Sequence, residues 1–450
     1  MSMAHSMSLD DAPLNKFHTK MVIFVTGGLF VDGYILGSIS IALALAGPQL
    51  HISPLWTGLI GSSALIGLFL GSAVFGWVTD LVGRQPLYVA NLAVFVIGSL
   101  AQFFVGSSLA LFIVRLIMGI AIGADYAIGP AYLSEFIPRK RRGALLGSLN
   151  TVWTLGFVVS IIISYALRHS GPDAWRWMLA ASALPAFFVL LLRIGTPESP
   201  RWLITKGRIS EAKKIIHQYF GDEVGIEPLL VEHDKKTDFK QLFSKQMRRR
   251  TAFSGLFWFC HVAPYFAIAT FLPELLKSLR VSNAFSGTVG LNVLELIGSV
   301  VGLMIIDRFS RRKFVIWSFI LLAIPLLILG LVPITPVALV LLSFGFFALV
   351  TTGTGNIEFV YPAELFPTSL RASGTGLASA TSRVGAAVGT FLLPLSLAHW
   401  GTHVTLILAG FIMVIGLVIS VAWAPDTNRM TLTEASGVFQ AGVVTSDEEA

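Results

Sequence analysis

Long apolar runs broken by short polar turns fill the chain from residue 21 to residue 424. About twelve of them approach the roughly 20 residues an α-helix needs to cross a hydrocarbon core. They fall near 21–45, 56–78, 86–107, 109–131, 143–167, 175–193, 251–276, 285–306, 313–333, 336–360, 372–396 and 402–424. Between the sixth and seventh runs lies a polar stretch, 194–250, in which Ile209, Ala212, Ile216 and Phe220 recur at helical spacing. A second piece, 238–250, sets Phe239, Leu242 and Phe243 among Lys and Arg. The pattern predicts an all-α integral membrane protein of about twelve transmembrane helices in two six-helix bundles. The predicted parts are a cytoplasmic tail 1–20, a bundle 21–193, a connector 194–250, a second bundle 251–424 and a cytoplasmic tail 425–450. Connector helices of this kind are expected to lie on the inner leaflet and bridge the halves.

The two bundles read as copies of one unit. Gly76-x-x-x-Asp80-x-x-x-Arg84 returns as Gly302…Asp307-x-x-x-Arg311, with the two Asp 227 apart. Glu135-x-x-Pro138-x-x-x-Arg142 returns as Glu364-x-x-Pro367-x-x-x-Arg371, offset by 229. Pro197-Glu198 returns as Pro425-Asp426, offset by 228. Parallel repeats of a helical membrane half are an architecture of secondary transporters. Paired small residues four apart, such as Gly33/Gly37, Gly67/Gly71, Gly119/Gly123, Gly143/Gly147, Gly298/Gly302 and Gly385/Gly389, predict closely packed helices.

Composition agrees: 54% of the 450 residues are hydrophobic and 13% charged, with a mean hydropathy of +0.77. The net charge of +7 reports topology rather than nucleic-acid binding. With the N-terminus inside, Arg168, Arg176, Lys277 and Arg280 fall outside, and Arg115 and Arg383 fall within spans. The remaining 26 of the 32 Lys and Arg fall on the cytoplasmic side. That asymmetry places both termini in the cytoplasm and the basic loops against anionic lipid. The polar first 20 residues, and a first run interrupted by Asp32, predict a first span that directs insertion rather than a cleaved leader. One cysteine, Cys260, allows no intrachain disulfide, and no Asn-x-Ser/Thr acceptor occurs. A bacterial inner membrane fits both.

Ionisable groups inside spans cost at least about 2.5–3.5 kcal/mol on insertion scales, so each demands a reason. Helical rise sets Asp32, Glu295 and Arg383 about 16 Å from the inner face, near the midplane. His261 and Trp153 lie about one residue shallower. The repeat offset carries Asp32 onto 259–261, which makes His261 its candidate counterpart. Asp32 and Glu295 are the candidate proton-coupling groups, because burial and neighbouring charge move a carboxylate's affinity for protons. Arg383 presents a fixed, planar fork suited to a carboxylate. It heads a candidate substrate set with His261, Tyr34, Trp153, Asn150, Asn356 and Asp125. On span four, Arg115 stands above Gly119, Gly123 and Asp125, with snorkelling to the outer interface as its alternative. At the inner ends, Asp80, Arg84, Glu135, Arg142, Asp307, Arg311, Glu364 and Arg371 form a candidate conformational gate. There carboxylates meet helix N-termini and guanidinium groups meet C-termini.

No phosphate loop, His-Glu-x-x-His run or cysteine cluster occurs, so no cofactor, no metal and no enzymatic activity are expected. Gly76-Trp-Val-Thr-Asp80-Leu-Val-Gly-Arg84-Gln85 and Arg115-x-x-x-Gly119-x-x-x-Gly123 resemble the loop and span-four motifs of the major facilitator superfamily. Pro197-Glu-Ser-Pro-Arg-Trp-Leu203, Glu135…Arg142-Gly143 and Trp175-Arg-Trp177 resemble its sugar-porter branch. Phe30-Val-Asp32-Gly-Tyr34 and Ser382-Arg383-Val-Gly385 resemble the branch's bacterial metabolite:proton symporters. The resemblance implies two pseudo-symmetric six-helix bundles alternating access to a small-molecule site. Where sugar porters carry a polar Gln-Gln-Leu-Ser-type run on span seven, this chain has Phe259-Cys-His261-Val-Ala-Pro264-Tyr265, which points away from glucose-type recognition. Gln85 replaces a common basic residue and implies a weaker first gate.

The expectation is a monomeric transporter that takes up a small organic acid or sugar-acid-like metabolite with protons. Proton-driven efflux is the alternative. A transport-dead metabolite receptor signalling through 194–250 is the alternative of another class.

Overall fold

The computed structural model describes residues 12–221, 224–226, 239–306, 308–332, 336–366 and 370–425. Among the described residues, sixteen α-helices follow in chain order: α1 (Lys16–Gln49), α2 (Pro54–Val82), α3 (Arg84–Phe103), α4 (Ser108–Phe136), α5 (Arg139–Leu167), α6 (Ala174–Ala180), α7 (Ala183–Arg193), α8 (Pro200–Thr205), α9 (Ile209–Phe220), α10 (Arg248–Thr270), α11 (Leu272–Ser278), α12 (Ala284–Ile305), α13 (Arg311–Leu331), α14 (Val337–Gly355), α15 (Ile357–Leu365) and α16 (Arg371–Trp423). Among the described residues, 11 helical stretches are long and apolar enough to cross a membrane. The last, Ser373–Trp423, breaks at Gly401, where φ is 77°, and so supplies two crossings, making twelve. The protein is a multi-pass membrane protein.

The helices start where short polar side chains occupy orphan backbone donors. Asn15 accepts from the Phe17 and His18 amides, and the His18 ring bonds the Asn15 amide in return. Ser53, Ser107, Ser199 and Ser310 cap α2, α4, α8 and α13 in the same way. Gly83 ends α2 at φ 112°, and α3 begins at the next residue.

The chain divides into two compact units. One comprises Met1–Lys235, Ala269–Lys277 and Ser282–Asn292; the other comprises Lys236–Ile268, Ser278–Val281 and Val293–Ala450. Within each unit the glycine pairs mark helix contacts that repeat. A Cβ on Gly67 or Gly71 would strike the α4 carbonyls of Leu116 and Ile120, which locks α2 to α4. Gly298 and Gly302 meet the α14 carbonyls of Leu349 and Gly353, which locks α12 to α14. Likewise Gly33 fits against Trp153 of α5, and Gly389 of α16 against Ala263 of α10. The side chains of 143–147 lie outside the described residues.

The connector differs from the lipid-facing expectation. Ala212 and Ile216 of α9 are buried in a small core with Trp202, Leu203, Ile204, Val224, Ile226 and Ala12. The Asn15 side chain donates to the Tyr219 carbonyl at 2.7 Å, and Phe17 packs on the rings of Phe136, Tyr219 and Phe220. Ala212, Ile216 and Phe220 of the α9 stripe are thus covered by protein, while Ile209 is exposed. Phe239 and Phe243, on a single 3₁₀ turn (Phe239–Phe243), remain exposed.

Candidate functional site

Arg193 closes α7 with its guanidinium turned into the first unit. It donates to Asp125 on α4 at 2.9 and 3.4 Å, to the Tyr88 carbonyl at 2.9 Å and to the Phe24 carbonyl at 3.2 Å. Neither Arg193 nor Asp125 has any exposed side-chain surface. Asn91 on α3 donates to the same Asp125 oxygen at 2.7 Å, and the guanidinium lies 3.4 Å over the Tyr88 ring. Gly28 on α1 leaves the space: a Cβ there would collide with Arg193 and Asp125. One turn further along α1 stands Asp32, fully buried and close enough to Asp125 and Arg193 to interact electrostatically with both.

Asp32 has no donor on either oxygen among the described residues. Two carboxylates can hydrogen-bond to each other only through a shared proton. Arg193 neutralises one of the two. The cluster therefore sums to a buried −1 when empty and to zero when one proton is bound. Asp125 has both oxygens engaged by protein, so it acts here as the counter-ion of Arg193.

Arg115 is also buried and donates to Gln102 Oε1 and to the Ile35 carbonyl, both at 3.4 Å. It points into the bundle rather than toward the outer interface. Gly119 and Gly123 beneath it fit the α2 backbone at Ala64 and Leu68. Tyr34 and Trp153 are buried, Trp153 stacked on Phe157, and Asn150 is half-buried on α5.

The second unit carries its own cluster. His261 on α10 meets Glu358 on α15 through Nδ1 at 2.5 Å and Thr354 on α14 through Nε2 at 3.0 Å. Tyr265, one turn along α10, donates to Glu295 of α12 at 3.3 Å. Asn356, at the break between α14 and α15, donates to the Ser299 carbonyl at 3.1 Å. Arg383 is buried on α16.

At the ends of the spans the gate motifs pair across motifs and within each unit. Arg84 meets Glu135 at 3.3 Å, and Arg311 meets Glu364 at 3.2 Å. Each Arg also donates to a carbonyl of the preceding segment, Thr79 for Arg84 and Ile306 for Arg311. Tyr132 bonds the Pro197 carbonyl, and Tyr361 bonds the Pro425 carbonyl. The carboxylate that meets a helix N-terminus is Glu198, which accepts from the Arg84 and Gln85 amides at 3.1 Å each. The side chains of Asp80, Arg142 and Arg371, and the whole of Asp307, lie outside the described residues.

Sequence reasoning missed three of these groups. Arg193 ends its span and so counts by sequence among the cytoplasmic cations, and the structure buries it instead. Asn91 and Glu358 carry no sequence expectation, and Glu198 enters only through the repeated Pro197-Glu198 motif, with no role attached. The signal for Glu358 is a second carboxylate less than two turns before Glu364.

The profile of the sugar (and other) transporter family matches residues 20–439. The inner membrane metabolite transport protein YgcS of Escherichia coli K12 is 41% identical over 432 residues, covering 96% of each chain. The putative metabolite transport protein YaaU of the same organism is 34% identical, covering 98% of this chain and 99% of its own. A partially occluded, inward-open structure of the E. coli xylose transporter XylE superposes with a TM-score of 0.80 at 20% identity, covering 93% of this chain and 100% of that one. These likenesses are to transporters, and the last speaks for the fold.

Proposed function

The chain belongs to the sugar (and other) transporter family of the major facilitator superfamily, and we propose that it takes up a small organic acid or sugar-acid-like metabolite together with protons, by alternating access. It is a metabolite transporter and not an enzyme. The observation that carries the proton coupling is Asp32 buried near the Arg193–Asp125 ion pair, so that one guanidinium serves two carboxylates. Such a cluster holds a proton at low energetic cost and a net charge at high cost, so its occupancy follows the state of the transporter. A structural neighbour described as a proton:xylose symporter supports the same reading.

In this proposal Asp32 carries the coupled proton and Glu295 is a second candidate. Arg383 binds the anionic group of the substrate, with His261, Tyr34, Trp153, Asn150 and Asn356 as further ligands. Asp125 holds Arg193 in place and faces Asp32. Arg84, Glu135, Arg311 and Glu364 close the cytoplasmic side together with Asp80, Arg142, Asp307 and Arg371. The bundles 21–193 and 251–424 are the moving halves of a monomer in a bacterial inner membrane, with both termini cytoplasmic.

The test is a metabolite-library thermal-shift screen on purified protein, followed by proteoliposomes holding a pH-sensitive dye. A stabilising acid that acidifies the lumen on entry supports the proposal. Alkalinisation on entry would make the protein an antiporter, and binding without proton movement would make it a receptor.

A further inference from the structure

The second unit carries a polar contact at the same place in the repeat as the Asp32 cluster. Asp32 and His261 are 229 residues apart, and so are Asp125 and Thr354, the offset that also relates Glu135 to Glu364. Asp32 of α1 faces Asp125 of α4; His261 of α10 bonds Thr354 of α14. The two halves thus set a titratable side chain from their first helix against the same position of their fourth.

The hydrogen bonds around His261 leave room for a proton. Glu358 engages Nδ1, which fixes that nitrogen as the donor to a carboxylate. Nε2 faces the Thr354 hydroxyl, which is also within bonding distance of the Val350 and Thr351 carbonyls at 2.9 and 3.2 Å. With Nε2 bare, the hydroxyl turns to donate to it. With Nε2 protonated, the hydroxyl accepts from the ring and donates to Val350. Both states keep every group bonded, so the proton enters and leaves without breaking the contact. A hydroxyl that both donates and accepts is the residue type this exchange requires. Loading changes Glu358 plus His261 from a buried −1 to zero, the same change that one proton makes at Asp32.

We propose that His261, Glu358 and Thr354 form a second proton-binding site, separate from Asp32, in the other unit. It rests on the transporter reading but not on Asp32 as the coupling group. Phe319 packs edge-on against the His261 ring and carries no charge. Among the described residues, the other buried or half-buried titratable groups on helices of this unit are Arg250, Cys260 and Tyr265 on α10, Glu295 on α12, Arg311 on α13, Tyr361 and Glu364 on α15, and Arg383 and His403 on α16. Of these, Glu295 is bonded by Tyr265, Glu364 by Arg311, and Tyr361 bonds Pro425.

The test is nitrogen-15 solid-state NMR of the full chain in lipid vesicles, with histidine labelled, from about pH 4 to about pH 10. The His261 signal is identified by its loss in His261→Gln. It should titrate in one step at Nε2 while Nδ1 stays protonated. Glu358→Gln should abolish that step or move it by about tenfold or more in proton concentration. Thr354→Val, which keeps the shape and removes the hydroxyl, should change the Nε2 signal and leave Nδ1. Asp32→Asn should leave the step in place. The site is overturned by a wild-type His261 with no step, or by a step unchanged in Glu358→Gln. It is overturned equally by a step that disappears in Asp32→Asn, which would make it a report on that carboxylate. The Asp32 reading fails separately, in the transport assay.

Discussion

Arg193 and Asp125 sit 68 residues apart in sequence and form a two-point ion pair with no exposed surface. Asn91, the Tyr88 carbonyl and the Phe24 carbonyl supply the remaining hydrogen bonds. A buried pair satisfied to this degree is costly to break from one side only. Arg193→Gln leaves two buried carboxylates and should destabilise the protein by about 3–5 kcal/mol. The double variant Arg193→Gln with Asp125→Asn should recover much of the loss. Gly28→Ala, which pushes a methyl into the same space, should also destabilise. Thermal unfolding in one detergent compares all three, and a double variant no better than Arg193→Gln would count against the pairing.

Asp32→Asn removes the titratable member of that cluster but leaves a side chain of the same shape. Proton-driven accumulation should disappear, while counterflow exchange, which needs no net proton movement, should persist. Vesicles with an imposed pH gradient and internal substrate measure the two modes side by side. An Asp32→Asn protein that still concentrates substrate on a pH gradient would assign the coupling elsewhere.

The repeated motifs proposed as a cytoplasmic gate make a quantitative comparison possible, because the same pair occurs twice: Arg84 with Glu135 and Arg311 with Glu364. Weakening either should shift the conformational balance and not the binding chemistry. In a Cys260→Ser background, Glu135→Gln or Glu364→Gln should increase cytoplasmic labelling of cysteines introduced on α1 or α10 by an impermeant maleimide. Asp307→Asn should act in the same direction, and Asp80→Asn less strongly. Labelling unchanged in all four variants would make these motifs plain turns.

The spans were legible because hydropathy alone separates a lipid-crossing helix from a loop, and the repeat was legible because its motifs keep their spacing. Side-chain partnerships were not. Arg84 stands four residues from Asp80, and that spacing drew attention to its own motif, yet a helix end can swing its guanidinium toward a neighbouring helix and reach Glu135. Arg193 ends a span, where hydropathy reads a cation as a loop residue; only packing against α3 and α4 shows that it turns inward. The connector is ambiguous in sequence for a related reason. An amphipathic helix has the same pattern whether lipid or protein covers it, and Trp202 and its neighbours supplied the cover.

Substrate class rests on Arg383, a buried guanidinium on the eleventh crossing. Arginine keeps its charge throughout the accessible pH range and offers a rigid fork, so a bound carboxylate gains two-point geometry that a hydroxyl does not. Hydrogen bonds to a charged group contribute roughly 1.5–3 kcal/mol, or about ten- to a hundredfold in affinity. Arg383→Lys, which keeps the charge and loses the fork, should weaken binding of an organic acid by about that factor. Arg383→Gln should nearly eliminate it. The amide or alcohol analogue of the same acid should bind the unaltered protein poorly. Calorimetry on the hit from the metabolite screen separates the cases. A neutral sugar that binds the unaltered protein tightly, and binds Arg383→Gln equally well, would remove Arg383 from the substrate site and end the organic-anion reading.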